Sequence, residues 1–148
     1  MNRAKDKLTK IYEYAESKKI GVYSLKTQVV ESMSVMDAEG KCDIAINPEK
    51  IKSTADEIVK LAHEIGHCEC GAFYNEYSPL DIRAKHERRA TEWAIRELIP
   101  RSKLIEAIKE GILTKNELAE HFEVTEELMQ AAMEYYSDIV YKLQYLWS

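Results

Sequence analysis

The stretch His63-Glu64-Ile65-Gly66-His67 restricts this chain more than any other part of it. Two histidines four residues apart lie about 40° apart around a helix axis and one turn along it. Both imidazoles can then reach a single metal ion at roughly 2.0–2.1 Å. The flanks supply the helix. Thr54 is placed to cap it, with Glu57 as the partner of a capping box. Ile58, Leu61, Ala62 and Ile65 give it one apolar stripe, and Gly71 is its stop. Glu64 projects beside the histidines, close enough to take a proton from a metal-activated water without being a ligand.

A catalytic metal site needs a third protein ligand and one open position. Glu87 is the best candidate, on the long helix that Ser78-Pro79 opens and Pro100 stops. Ala90, Thr91 and Ala94 follow it on the same face, small enough to let the two helices approach around a metal. Glu92 is a rival, about 140° away from Glu87 around the helix. Cys70 falls at helical spacing from both histidines but reads first as a small buried thiol, and Cys68 reads as packing. Tyr74, Tyr77 and His86 are candidates to contact substrate or to donate to the oxyanion of a tetrahedral intermediate.

Before this pair of helices, residues 4–18 predict a helix with Leu8, Ile11, Tyr12 and Ala15 on one face. A short β-prone stretch runs from Val22 to Leu25. Glu31–Met36 and Lys41–Asn47 flank a turn at Asp37 to Gly40 and predict a hairpin ended by Pro48. The second strand, with Cys42, Ile44 and Ile46 alternating, is a candidate to pair with an extended substrate. After Pro100 the pattern is all helical, with caps at Ser102, Thr114 and Thr125, the last helix running to the C-terminus.

The net charge of −5 argues against general affinity for nucleic acid or anionic membrane. No apolar run approaches the roughly 18–20 residues of a membrane span, and no apolar segment follows the charged N-terminus as in a signal peptide. Three cysteines, an odd and small number, argue against a disulfide framework and for a reducing cytoplasm.

Residues 61–81 (LAHEIGHCECGAFYNEYSPLD) and 85–100 (KHERRATEWAIRELIP) resemble the catalytic core of the ImmA/IrrE metallopeptidases. The second stretch is similar to that family's Glu-x-x-Ala-Asn/Asp pattern, followed by aromatic-Ala and an apolar pair ending in Pro. It matches at Glu87, Ala90, Trp93, Ala94, Leu98, Ile99 and Pro100. The resemblance implies an α+β, zincin-like (thermolysin-type) core over residues 1–100, with a small antiparallel sheet and active-site helices. It also implies one zinc ion per chain, held by His63, His67 and Glu87. The Phe-Tyr-Asn and Ser-Pro-Leu-Asp pieces look like the subgroup carried by phages and integrative elements. The activity implied is cleavage of a helix-turn-helix repressor encoded nearby, in the cytoplasm of a bacterial or phage-infected cell. Position 91 departs from the pattern: Thr91 stands where the family usually has Asp or Asn to orient a ligand histidine. That departure keeps open a second expectation, a degenerate zincin acting as an anti-repressor by sequestration.

Residues 101–148 form the expected helical C-terminal segment, and 114–136 resemble a helix-turn-helix. A DNA-reading version would carry Arg or Lys on its second helix. Here Glu117, Glu120, Glu123, Glu126, Glu127 and Glu134 face Lys115 alone, so packing on the core or docking of substrate is the expectation, not DNA binding.

Overall fold

The computed structural model describes residues 2–26, 30–75 and 77–138. Helix α1 (Arg3–Ser17) is capped by the Asn2 side chain, which accepts from the Lys5 amide. It buries Ile11 and Ala15, with Leu8 and Tyr12 packed at the margin. Strands β1 (Gly21–Ser24), β2 (Ser32–Met36) and β3 (Cys42–Ile46) follow. In the β2–β3 turn, the Asp37 carboxylate accepts from the amides of Glu39 and Lys41, and Gly40 takes φ +87°.

The sheet is mixed, which corrects the expected antiparallel one. Its order is β1-β3-β2, with β2 antiparallel and β1 parallel to β3. The reason is burial. Cys42, Ile44 and Ile46 are all buried, so β3 takes the centre, where both of its main-chain edges are paired, and β1 adds on its far side. The strand proposed to receive substrate is therefore enclosed, and among the described residues the open edge next to the metal helix belongs to β2.

One turn of 3-10 helix, Pro48–Lys50, leads to α2 (Thr54–Cys70). Its cap is Ser53, whose hydroxyl accepts from the Asp56 amide at 3.0 Å; Thr54 is already helical. Gly71 ends α2 at φ +59°, as its lack of a Cβ permits. Helix α3 (Leu80–Leu98) lies against α2, with Ala90 and Ala94 fully buried. Helices α4 (Arg101–Lys109), α5 (Lys115–Phe122) and α6 (Glu126–Tyr135) complete the chain as described. Pro100, not Ser102, stands at the α4 cap, its ring-fixed φ of −58° leading into the helix. Thr114 and Thr125 cap α5 and α6 as expected. The expected run of the last helix to the C-terminus lies, beyond residue 138, outside the described residues.

The cysteine expectation also needs correcting. Cys42 and Cys68 form a disulfide, Cα–Cα 5.9 Å, and Cys70 is the free thiol. Cys42 opens β3 on the face that meets α2, and Cys68 lies in the last turns of α2, so sheet–helix packing joins them. Parity of the count could not see this, and the argument for a reducing compartment loses that support.

One apolar cluster runs through the sheet and all six helices, with Ile58, Leu61, Ile65, Ile95, Ile99, Leu104, Leu118 and Met129 essentially inaccessible. Polar contacts also cross it. The Lys7 amine donates to the main-chain carbonyls of Leu98 and Phe122, the last residues of α3 and α5. The buried Tyr136 hydroxyl donates to the Ile99 carbonyl. Among the described residues, no helix is long and apolar enough to cross a membrane.

Candidate metal centre

Helix α2 presents His63 and His67 one turn apart, and α3 brings Glu87 to both. The Nε2 atoms of the two histidines are 3.2 Å apart. Glu87 Oε2 lies 2.8 Å from His63 Nε2, and its Oε1 lies 3.1 Å from His67 Nε2. The three side chains can offer one ligand atom each within 4.8 Å of one another.

Close approach of the two helices makes this possible. A methyl group built on Gly66 would lie 2.6 Å from the Ala90 carbonyl oxygen, so only glycine fits at that crossing. Ala90 is one turn beyond Glu87, and Gly66 directly precedes His67. The contact that sets the helix separation is thus also the one nearest the ligands.

Each imidazole is oriented from behind. The Ala72 carbonyl accepts from His67 Nδ1–H at 2.5 Å, which leaves the Nε2 lone pair for a cation. Thr91 Oγ1 lies 3.3 Å from His63 Nδ1, so threonine reaches the atom that an acid or amide would address. The charges agree. Hydrogen bonds from His63 and then His67 hold the Glu87 carboxyl well below the usual carboxylate range. Burial opposes a proton on His67, but the bonds to Glu87 and Ala72 outweigh it and raise the group. The bond from Tyr74 to Glu87, the larger cause, and burial raise the Tyr74 hydroxyl. A divalent cation displaces the proton that such contacts favour on histidine. Two imidazole nitrogens and a carboxylate, with carbonyl and hydroxyl groups behind them, fit a zinc ion.

Glu64 is 7% exposed and lies on the wall of the same cavity, of about 430 Å³. Its two carboxylate oxygens accept from Ser32 (2.7 Å) and Ser34 (2.9 Å) on β2. Phe73, Ala72 and Tyr74 close the other side. A larger cavity of about 750 Å³ lies under α1, lined by side chains of both charge signs; the metal-site residues do not border it.

Of the other candidates, Tyr74 joins the site: its hydroxyl donates to Glu87 Oε1 at 2.8 Å. His86 stacks on the Tyr74 ring at 6.4 Å between centroids and does not line the cavity. Tyr77 is 86% exposed and also stands outside it. Glu92 pairs with Arg88 on the surface of α3, and Cys70 lies 4.0 Å from the Arg89 carbonyl; neither belongs to the ligand cluster. Ser32, Ser34 and Gly66 were not singled out from sequence. Their signals were present: serines two apart in a strand segment share a face, and a glycine within a helix marks close packing.

The family model of the IrrE N-terminal-like domain matches residues 15–134. No curated protein and no solved structure gives a significant match. The chain belongs to the IrrE N-terminal-like family of metallopeptidases.

Proposed function

We propose that this IrrE-like metallopeptidase is a zinc endopeptidase that cleaves a helix-turn-helix repressor and so relieves repression in a phage or mobile element. The observation that carries the reading is the convergence of His63, His67 and Glu87 on one point, with Glu64 beside it in a cavity bordered by an open strand edge. His63, His67 and Glu87 would hold one zinc ion, with Thr91 and the Ala72 carbonyl orienting the imidazoles. When bound, zinc supplies Lewis acidity, making a water nucleophilic near neutral pH and polarising the scissile carbonyl.

The chain's own groups do the rest. Glu64 takes the proton of the attacking water and hands it to the leaving amine. The Tyr74 hydroxyl, at the cavity wall, would turn from Glu87 to donate to the developing oxyanion. Strand β2 holds the substrate extended by main-chain pairing at its open edge. A protein substrate is implied by the peptidase family; its identity as a repressor, and with it a cytoplasmic site of action, rests on the resemblance of residues 61–100. The acidic surface of α5 and α6 would dock such a substrate, whose DNA-binding face is basic. On this reading residues 1–100 form the catalytic part, 101–148 its helical extension, and neither binds nucleic acid.

Elemental analysis of the purified protein beside His63→Ala and Glu87→Ala tests the ligand set. About one zinc per chain, lost in both variants, is expected; equal zinc in all three would overturn the ligand assignment. Thr91 favours a second reading, an anti-repressor that sequesters its target without cutting it. Glu64→Gln separates the two: it abolishes derepression if the chain cuts and spares it if the chain only binds.

A further inference from the structure

We propose that Ser32 and Ser34 are positioning residues for the general base, setting the orientation of the Glu64 carboxylate from the strand along which substrate would lie. The inference rests on the reading of Glu64 as that base. Glu64 reaches the cavity from α2 on a side chain with three rotatable bonds, and such a chain samples several rotamers unless held. Here each carboxylate oxygen has its own hydroxyl donor, Ser32 on Oε2 and Ser34 on Oε1. One bond would leave the carboxylate free to turn about it; two, from residues on a single rigid strand, fix its plane.

The strand pattern supports a role beyond filling space. Serine is a poor strand former, yet it takes both inward positions of β2 at the cavity. Met33 and Val35, between and beyond the serines, alternate to the other face and are 40% and 51% exposed, although Met33 also borders the cavity. Register adds a second observation. Asn47 donates to Glu31 and Asp37 to Lys41, so the hydrogen-bonded pairs with β3 fall on the odd-numbered residues of β2. By the alternation of antiparallel ladders, the N–H and C=O groups of Ser32 and Ser34 face away from β3, toward the open edge. The two residues that hold the base are therefore among those whose main chain meets an added strand. A substrate seated there has its scissile bond referred to the same two residues as the carboxylate that must reach it.

The test uses the zinc-loaded full chain and a quenched fluorescent peptide selected from a random library by the wild-type enzyme. In S32A/S34A, zinc content should stay at the wild-type level and KM within about threefold, while kcat falls about 10–100-fold. S32T/S34T, which keeps both hydroxyls, should return kcat to within about threefold of wild type. A second readout needs no turnover. The Glu64 carboxylate band, assigned in the metal-free protein by infrared subtraction of E64Q, should shift in the double alanine variant and not in the double threonine one. A double alanine variant within twofold of wild-type kcat, a deficit that threonine does not restore, or an unmoved band would overturn the proposal. E64Q separates the two levels: if it keeps wild-type kcat, the general-base reading itself fails; if it is inactive while S32A/S34A behaves as wild type, only the positioning role fails.

Discussion

Replacing Gly66 by alanine should damage the metal site more than the fold. The added methyl would stand 2.6 Å from the Ala90 carbonyl oxygen and 3.1 Å from its Cα. Ordinary contact begins near 3.4 Å, so α2 and α3 must separate locally by about 0.8 Å. The obstacle is backbone and cannot rotate aside. Overpacking of this kind costs about 1–3 kcal/mol, and the better helix propensity of alanine returns about 1 kcal/mol. A net loss of up to about 2 kcal/mol follows, a fall in Tm of up to roughly 8 °C for a chain of this size. Ligands sit on both helices, His63 and His67 on one and Glu87 on the other. Metal–ligand distances tolerate only about 0.2 Å, so a separation of that size should weaken zinc binding by more than tenfold. Competition titration against a chromophoric chelator reads the affinity, and urea unfolding of the metal-free protein reads the stability. A Gly66→Ala protein of unchanged or higher stability, with zinc affinity within twofold of wild type, would refute the packing argument.

Thr91→Asp should tighten zinc binding by about tenfold, because a carboxylate beside His63 Nδ1 raises the basicity of the ligand nitrogen; weaker binding in the same chelator competition would count against Thr91 as the orienting group. Reduction of Cys42–Cys68, or Cys42→Ser, should cost about 3 kcal/mol in urea unfolding, as expected for a cross-link spanning 26 residues; no change in the midpoint would mean that the bond contributes nothing. Burial lowers the Lys7 amine to about 8 from an ordinary 10.5, so the folded chain releases this proton first as pH rises. Stability contributed by this group therefore rises between about pH 8 and 10, by roughly 1 kcal/mol per pH unit at most. That increment should vanish in Lys7→Met, and a wild-type curve that falls across this window relative to Lys7→Met would contradict the sign.

The metal helix and its partner could be read from sequence because their signals are local and redundant. His63 and His67 share a helical face, the stripe behind them is apolar, and Gly71 and Pro100 mark the ends. The small residues Ala90 and Ala94 foretold a close helix pair, and the structure buries both completely. What escaped depends on contacts across the chain. Nothing within β1 says whether it joins β3 or β2, or in which direction. Cys42 and Cys68 meet only because β3 packs on α2. Ser32 and Ser34 look like ordinary polar positions of a half-exposed strand until Glu64 is placed above them. Ser53 and Thr54 are both good caps for α2, and extended backbone at Ser53, rather than residue type, decides between them.

The Lys7 contacts carry a consequence for how the chain is made. The amine is 91 residues from Leu98 and 115 from Phe122, the acceptors at the ends of α3 and α5. A ribosome releases residue 7 first, and the second acceptor does not yet exist when His63, His67 and Glu87 have all been added. The metal-site residues are therefore complete in the growing chain before α1 can close on α5, and that closure waits until α5 has been made. Birth order thus separates two events that the finished molecule shows together: assembly of the ligand set, and the fastening of the helices behind it.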